Sequence, residues 1–303
     1  MDAQRPVPAG DEQGQRGGRD ARAGREERNA GVEVAAGSPD VLPGRGRGAY
    51  LDRGGQRREA RLAVGLLDRH DRVGVLGQHR PGEELGPGQI HDSNSPALAA
   101  QARAAGADVR RLGVARDTLA EVETALVGAI GWADLVIVSG GVSVGARDVV
   151  KAAFERLGRV DLWRVAVQPG KPVAFGRAPS PDGREALLFG LPGNPVSSFV
   201  TFELFVRPVL RALSGYRDPT ARRVVRARLA SAVTKSPPRR AFLRVKLAPD
   251  PGRPGERLAL LAGGQGSHVL SALAAADGLA VVPEDLDGLP AGAEVDVWEL
   301  EGA

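Results

Sequence analysis

The sequence predicts an α/β fold: a doubly wound, mostly parallel sheet over about residues 85–217, followed by a small C-terminal β-barrel over about 218–303. Three observations predict it. Continuous apolar runs such as "DLVIVSG" and "ALLFGLPG" suit strands covered on both faces, as in parallel sheets. Segments of helical period alternate with these runs, the pattern of βαβ units. After Tyr216 the alternation gives way to short strands separated by Gly/Pro turns, the pattern of a small barrel or sandwich.

Taken in order, residues 1–80 stand apart. They hold 15 Arg against 12 Asp plus Glu, with no Lys, Phe or Trp. Their apolar residues show little period, "ARLAVGLLDRHDRVGVLG" being the best exception. Such a segment buries too little to offset chain entropy. It reads as a disordered basic arm, or as text foreign to the domain, of the kind a GC-rich gene gives in a shifted frame. From about Leu85 the pattern changes. "NSPALAAQARAAGADV" reads as a helix capped by Ser93 or Asn94 and stopped at Gly106. "RRLGVA" is a short strand, and "DTLAEVETALVGAIGWA" an amphipathic helix opened by Asp117 with Glu121 in a capping box. "DLVIVSG" is a buried strand and "DVVKAAFERLG" a helix. "ALLFGLPG" is a second buried strand, and "PVSSFVTFELFVRPVLRALSG" a long helix ending at Gly215. The barrel strands lie in "ARRVVRARLASAV", "RAFLRVKLA", "RLALLAG", "GLAVVPED" and "AEVDVWELE".

Composition excludes several functions. No apolar run approaches the roughly 18 residues needed to cross a membrane, and "MDAQRPVPAGDEQGQRGGRD" has no apolar signal core. Cysteine is absent, which removes disulfides, thiolate metal sites and cysteine nucleophiles and fits a cytoplasmic location. His70, His79, His91 and His268 are too scattered for a zinc site. The net charge is +4, and a surplus of three lies in residues 1–80, so the basic balance does not mark a nucleic-acid surface on the folded part.

In an open parallel sheet, ligands bind beyond the carboxyl ends of the strands. Three Gly-rich stretches fall at such ends. In "SGGVSVGARD", Gly140, Gly141 and Gly145 permit positive φ and close backbone approach, and Ser139 and Ser143 add hydroxyls, so that a phosphate can be held beside a helix start. Asp148 closes that turn. A carboxylate there serves as a Mg²⁺ ligand, an acid or base, or simply a helix cap. In "VQPGKPVAFG", Pro169 and Pro172 stiffen a loop that presents Lys171. In "FGLPGNPVSSF", Gly193 and Asn194 precede a helix with Pro195 in its first turn, and Ser197 and Ser198 lie where free N–H groups favour an anion. A fourth patch, "IHDSN", offers Asp92, Ser93 and Asn94 either as caps or as partners for a polar ring. Together these loops suggest a large phosphorylated small molecule without naming it.

Taken in succession, "DSNSPALAAQARAAGADV", "DLVIVSGGVSVGARDVVKAAFERLG", "QPGKPVAFG", "LPGNPVSSFVTFELFVRPVL" and "GGQGSHVLSALAAADGLAVVP" closely resemble the MoeA family of molybdopterin molybdenumtransferases, a domain shared with the E region of gephyrin. The resemblance covers about residues 85–303. It implies an enzyme that inserts molybdate into adenylylated molybdopterin with release of AMP, using Mg²⁺. It also implies an α/β molybdopterin-binding domain and a C-terminal β-barrel. By it, Asp148 corresponds to the catalytic acid near Mg²⁺. Gly140, Gly141, Ser143 and Gly145 correspond to the pterin-phosphate loop, and Lys171, Pro172 and Ser197 to the molybdate surroundings. "RAFLR" is similar to the family's G-R-x-x-F-x-R, so Arg244 would hold the oxyanion with Ser267. The family forms homodimers through N-terminal domains whose "MDG(Y/F)A" motif has no counterpart in residues 1–80, and its "STGDEL" turn is replaced by "LGQHRPGEEL". The other readings are a non-catalytic molybdopterin-binding scaffold and a molybdopterin adenylyltransferase.

Overall fold

A computed structural model describes residues 50–51, 57–58, 60–68, 78–79, 82, 84–85, 90–116, 118–142 and 149–300. Its first sheet contains β1 (Arg61–Asp68), β2 (Asp108–Arg116), β3 (Leu135–Ser139), β4 (Arg159–Arg164), β6 (Pro172–Pro179) and β7 (Glu185–Leu191), with β5 (Val167–Gln168) in the β4–β6 connection. The strand order is β2-β1-β3-β7-β6-β4. The pairings β2/β1, β1/β3 and β3/β7 are parallel. β6 is antiparallel to both its neighbours, so it alone is reversed.

The helices cover both faces because β3 is buried at every position and side chains alternate along it. Val136 and Val138 pack with Val122 and Leu126 of α2 (Leu119–Ile130) and Val150 and Phe154 of α3 (Val149–Leu157). Leu135 and Ile137 pack on the other face with Leu98 of α1 (Asn94–Ala104). That face is completed by one continuous helical rod. The rod consists of α4 (Pro195–Thr201), a π-helical turn (Phe202–Val206) and α5 (Arg207–Leu213). Phe202, Val206 and Leu210 point from it into the same core. The rod ends as the sequence predicts: Gly215 has φ 76°, and the Tyr216 N–H donates to the Arg211 carbonyl at 3.0 Å.

The second sheet contains β8 (Val224–Leu229), β9 (Arg240–Pro249), β10 (Arg257–Leu261), β11 (Gly278–Val282) and β12 (Glu294–Glu299). The order β10-β8-β12-β11-β9 closes on itself through a β9–β10 pairing, which leaves a five-stranded barrel. Its interior is aliphatic, with Leu229, Leu243, Val245, Val282, Val295 and Val297 buried. Two devices join barrel and α/β layer. β5 pairs in parallel with β9, setting Val167 beside Arg240 and Gln168 beside Ala241. A shared apolar cluster then packs Val167, Val196 and Val200 against Phe242, Leu279 and Leu273, the last from α6 (Leu270–Ala274).

Several expectations need correction. The sheet takes in Arg61–Asp68, so the α/β domain reaches upstream of residue 85 into the stretch set apart by composition. Leu62, Ala63 and Val64 of this strand are fully buried. β4 and β6 are an added antiparallel pair where the sequence reading saw only a lysine-bearing turn. α2 is capped by Thr118, whose Oγ1 accepts from the Glu121 N–H at 3.4 Å, while the expected opener Asp117 lies outside the described residues. α1 follows Ser93, yet the side-chain acceptor is Asp92, whose Oδ1 takes the Ser95 N–H at 2.9 Å. Asn194 precedes α4 without a side-chain cap bond, because the Pro195 ring already fixes the first turn.

Two substitutions test this packing. A Cβ on Gly190 would meet Val142 Cγ1 at 2.6 Å and Ala174 Cβ at 3.0 Å. Gly190→Ala is expected to lower unfolding free energy by about 1–3 kcal/mol in a denaturant titration. Phe242 is completely buried in the cluster between the layers. Phe242→Ala is expected to cost about 3–5 kcal/mol in the same measurement.

Candidate functional site

The carboxyl ends of β3 and β7 meet the start of α1. Ser139, fully buried, accepts a hydrogen bond from Asn94 Nδ2 at 2.9 Å and donates to the Pro192 carbonyl at 3.2 Å. The same Asn94 amide donates to the Gly193 carbonyl at 2.7 Å, and the Ser198 hydroxyl lies 3.2 Å from that of Ser139. The Gly140 N–H donates to the Leu191 carbonyl at 2.9 Å. Gly140 and Gly141 have φ of 89° and 69°, a conformation side chains resist, which turns the chain away from β3. Ser139, Gly140, Gly141, Gly193, Asn194 and Asn94 therefore form one rim, with Asp92 and Ser93 just before it. Ser143, Gly145 and Asp148 lie outside the described residues.

The other predicted residues gather elsewhere, in a cavity of about 590 Å³ between the β5–β6 loop, α4 and the barrel. Lys171, Ser197, Arg244 and Ser267 all line it. Pro172 follows Lys171 as the first residue of β6. Two backbone bonds frame the cavity. The Val165 N–H donates to the Lys171 carbonyl at 3.0 Å, closing the lysine loop, and the Val196 N–H donates to the Ser267 carbonyl at 3.1 Å, fastening the "GGQGS" loop to the start of α4. The first turn of α4 thus touches both places: Ser198 faces the rim and Ser197 the cavity.

Arg244 is the unusual group here. It is only 1% exposed. Its Nη2 donates to the carbonyls of Gly264 and Gly266, each at 3.1 Å. Gln265 holds its backbone on both sides: Oε1 accepts the Arg244 N–H at 2.9 Å and Nε2 donates to the Arg244 carbonyl at 3.1 Å. The Nε is buried without a partner. Among the described residues no carboxylate pairs with this guanidinium, and burial alone pulls its pKa below the ordinary arginine value. Among the described residues, Lys171, Arg239 and Arg244 are the cations of the lining, and none of the lining residues is Asp or Glu. A buried positive charge needs an anion or a dense set of acceptors; two carbonyls supply part of that. The described lining thus leaves its positive charge without a carboxylate to balance it.

Arg239, Thr234, Gln168 and Gln265 complete the lining and were not singled out from the sequence. Gln265 stands beside Ser267 in the "GGQGS" motif and Gln168 beside Pro169 in "VQPGKP", which were the available signals. Arg239 stands where the G-R-x-x-F-x-R pattern has its first Arg, three residues before Phe242, while Thr234 carries no signal, because only barrel closure brings it to the lysine loop. Among the described residues no group of three or more His, Cys, Asp or Glu could hold a metal ion. No described helix is long and apolar enough to cross a membrane.

Comparison with known proteins agrees with both halves of this arrangement. Residues 81–212 match the family described as a probable molybdopterin binding domain. Residues 226–300 match the MoeA C-terminal region, domain IV. Molybdopterin molybdenumtransferase 1 of Mycobacterium tuberculosis is 36% identical over 287 residues, covering 85% of this chain and 66% of that protein. The molybdopterin molybdenumtransferase of Haemophilus influenzae is 34% identical over 240 residues, covering 78% of this chain and 55% of its own. The crystal structure of a molybdopterin biosynthesis MoeA protein from Pyrococcus horikosii superposes with a TM-score of 0.66 at 32% identity, over 82% of this chain and 56% of that one. The chain thus spans about half to two thirds of the length of these relatives. Sheet, barrel, rim and cavity, and the ordered motifs that build them, make this chain a member of the MoeA family.

Proposed function

We propose that this chain acts in molybdenum cofactor biosynthesis, inserting molybdate into adenylylated molybdopterin with release of AMP. The observation that supports this best is the acid-free cavity with its buried, carboxylate-free Arg244. Molybdate is a doubly charged tetrahedral anion. Guanidinium, ammonium and hydroxyl donors facing one another are what such an anion needs. In this reading Arg244 supplies a fixed buried charge, Lys171 an exposed one at the mouth, and Ser197 and Ser267 hydroxyls from the helix start and the "GGQGS" loop. The rim of Asn94, Ser139, Gly140, Gly141 and Gly193 takes the pterin phosphate, with Asp92, Ser93 and Asn194 beside it. α4 sets the distance between the two ends of the substrate.

Asp148, with Ser143 and Gly145, completes the phosphate loop in this proposal, Asp148 as the acid beside the phosphoanhydride. The described residues offer Mg²⁺ no ligand cluster, so no step is assigned to that ion. A second reading is binding of molybdopterin without turnover. The two separate on incubation with adenylylated molybdopterin, molybdate and Mg²⁺. Cofactor formation with AMP release supports the enzyme; pterin binding without AMP release supports the scaffold.

Three substitutions follow. Arg244→Met keeps an unbranched apolar stem and removes the charge. Molybdate affinity is expected to fall at least about thirtyfold, about 2 kcal/mol or more, while the ligand-free protein unfolds at an equal or higher denaturant concentration because a buried charge is gone. Retained affinity would move the oxyanion elsewhere. Asp148→Asn is expected to stop AMP release and leave pterin binding intact, read by chromatography of nucleotide and pterin. Gly170 has φ +120°, and a Cβ there would meet Thr201 Cγ2 at 2.5 Å. Gly170→Ala should push the lysine loop off α4 and raise the molybdate KM while the pterin Kd stays unchanged.

A further inference from the structure

The rod that carries Ser197 and Ser198 widens at its π-helical turn, and that turn strands one carbonyl. The Arg207 N–H donates to the Phe202 carbonyl and not, as in an α-helix, to that of Glu203. The next donor in the π register would be residue 208, a proline with no N–H. The Glu203 carbonyl therefore needs a donor from outside the rod. Arg222, in the connection to the barrel, supplies it: Nη2 donates to that carbonyl at 2.9 Å. The same guanidinium lies over the indole of Trp298 on β12, 3.8 Å from the ring centroid. Its Nη1 stands 3.8 Å from the Glu203 carboxylate, which also accepts from Gln101 Nε2 of α1 at 2.8 Å. The Arg222 side chain is only 14% exposed, so solvent screens these contacts little. Both ends of the clamp lead to the cavity. The Trp298 ring lies 5.0 Å from that of Phe242, which lines the cavity beside Arg244. Glu203 lies on the same rod as Ser197.

Resting on the reading of this cavity as an oxyanion site, we infer that Arg222 is a positioning residue: its clamp between the Glu203 carbonyl and Trp298 seats the barrel on the α/β layer so that Arg244 stands across the cavity from Lys171 and Ser197. Arg222 does not line the cavity itself. It fixes the spacing between donors that come from two domains, and misplacing such groups by about 1 Å is costly. The pterin-phosphate rim is built from the α/β layer alone and does not depend on the clamp. Lysine cannot replace Arg222, because an ammonium has no flat face to lie on the indole while it donates to the carbonyl.

Titration calorimetry of the full chain with molybdate and with molybdopterin reads the two affinities, and a denaturant titration reads stability. In Arg222→Met the molybdate Kd is expected to rise about tenfold while the molybdopterin Kd stays unchanged. Arg222→Lys, which keeps a charge beside Glu203, is expected to raise the molybdate Kd about threefold. Adding Trp298→Leu to Arg222→Met should change the molybdate Kd little further, because both residues act through one contact. A lower denaturant midpoint in Arg222→Met with the original molybdate Kd makes the residue purely structural and overturns the inference. So does an equal rise in both Kd values. If Arg222→Met does not fold, an unchanged molybdate Kd in Arg222→Lys overturns it. If the unmodified chain binds no molybdate, the oxyanion reading of the cavity itself fails, and this inference with it.

Discussion

A buried guanidinium without a carboxylate is the constraint around which the site is organised. Arg244 stands on a barrel strand, 1% exposed, with two loop carbonyls as its hydrogen-bond acceptors. Carbonyl dipoles only partly replace the water the charge has lost, so the buried guanidinium carries a standing electrostatic cost. An incoming anion removes that cost. The same arrangement in a wet, exposed groove would gain little, because exposed ion pairs are screened and contribute marginally. Burial is what makes the charge selective.

That burial requires two domains. The barrel supplies Arg244, Arg239 and the "GGQGS" loop; the α/β layer supplies Lys171, Gln168 and Ser197. They meet because β5 leaves the first sheet to pair with β9, and because Val196, Val200 and Phe242 fill the seam. The start of α4 is the shared wall. Thr201 Oγ1 donates to the carbonyls of Ser197 and Ser198 at 2.8 and 3.1 Å, which stiffens the turn bearing both serines. One rigid turn therefore separates, by a fixed distance, a rim of backbone groups from a basket of cations. A ligand with phosphate at one end and an oxyanion acceptor at the other suits that spacing.

Much of this was legible in the sequence, for local reasons. The uniform apolar run of β3 announces a strand covered on both sides, and Gly140 and Gly141 announce the turn after it. The barrel strands follow from short runs between turns. What stayed hidden was non-local. Arg61–Asp68 lies inside an atypical stretch, and it is fixed as a strand by the neighbours β2 and β3 on either side. The pair β4 and β6 opens at Pro172, which reads as a turn signal. At the site, Lys171 and Ser197 could be picked out from their loops, whereas Arg244 and Ser267 were reached only through motif resemblance, since the contacts joining all four span the ladder between β5 and β9. Thr234 has no local signature. The missing partner of Arg244 is visible only once burial is known.

Ligand-linked stability tests the central claim most directly. A ligand bound only by the folded state raises the unfolding temperature in proportion to the logarithm of its concentration. If molybdate completes the charge on Arg244, the thermal midpoint of the full chain should rise by on the order of 5 °C at about a hundredfold excess over Kd, with no comparable rise in chloride of equal ionic strength. A midpoint that stays flat through millimolar molybdate would contradict the claim that this cavity is held open for an oxyanion.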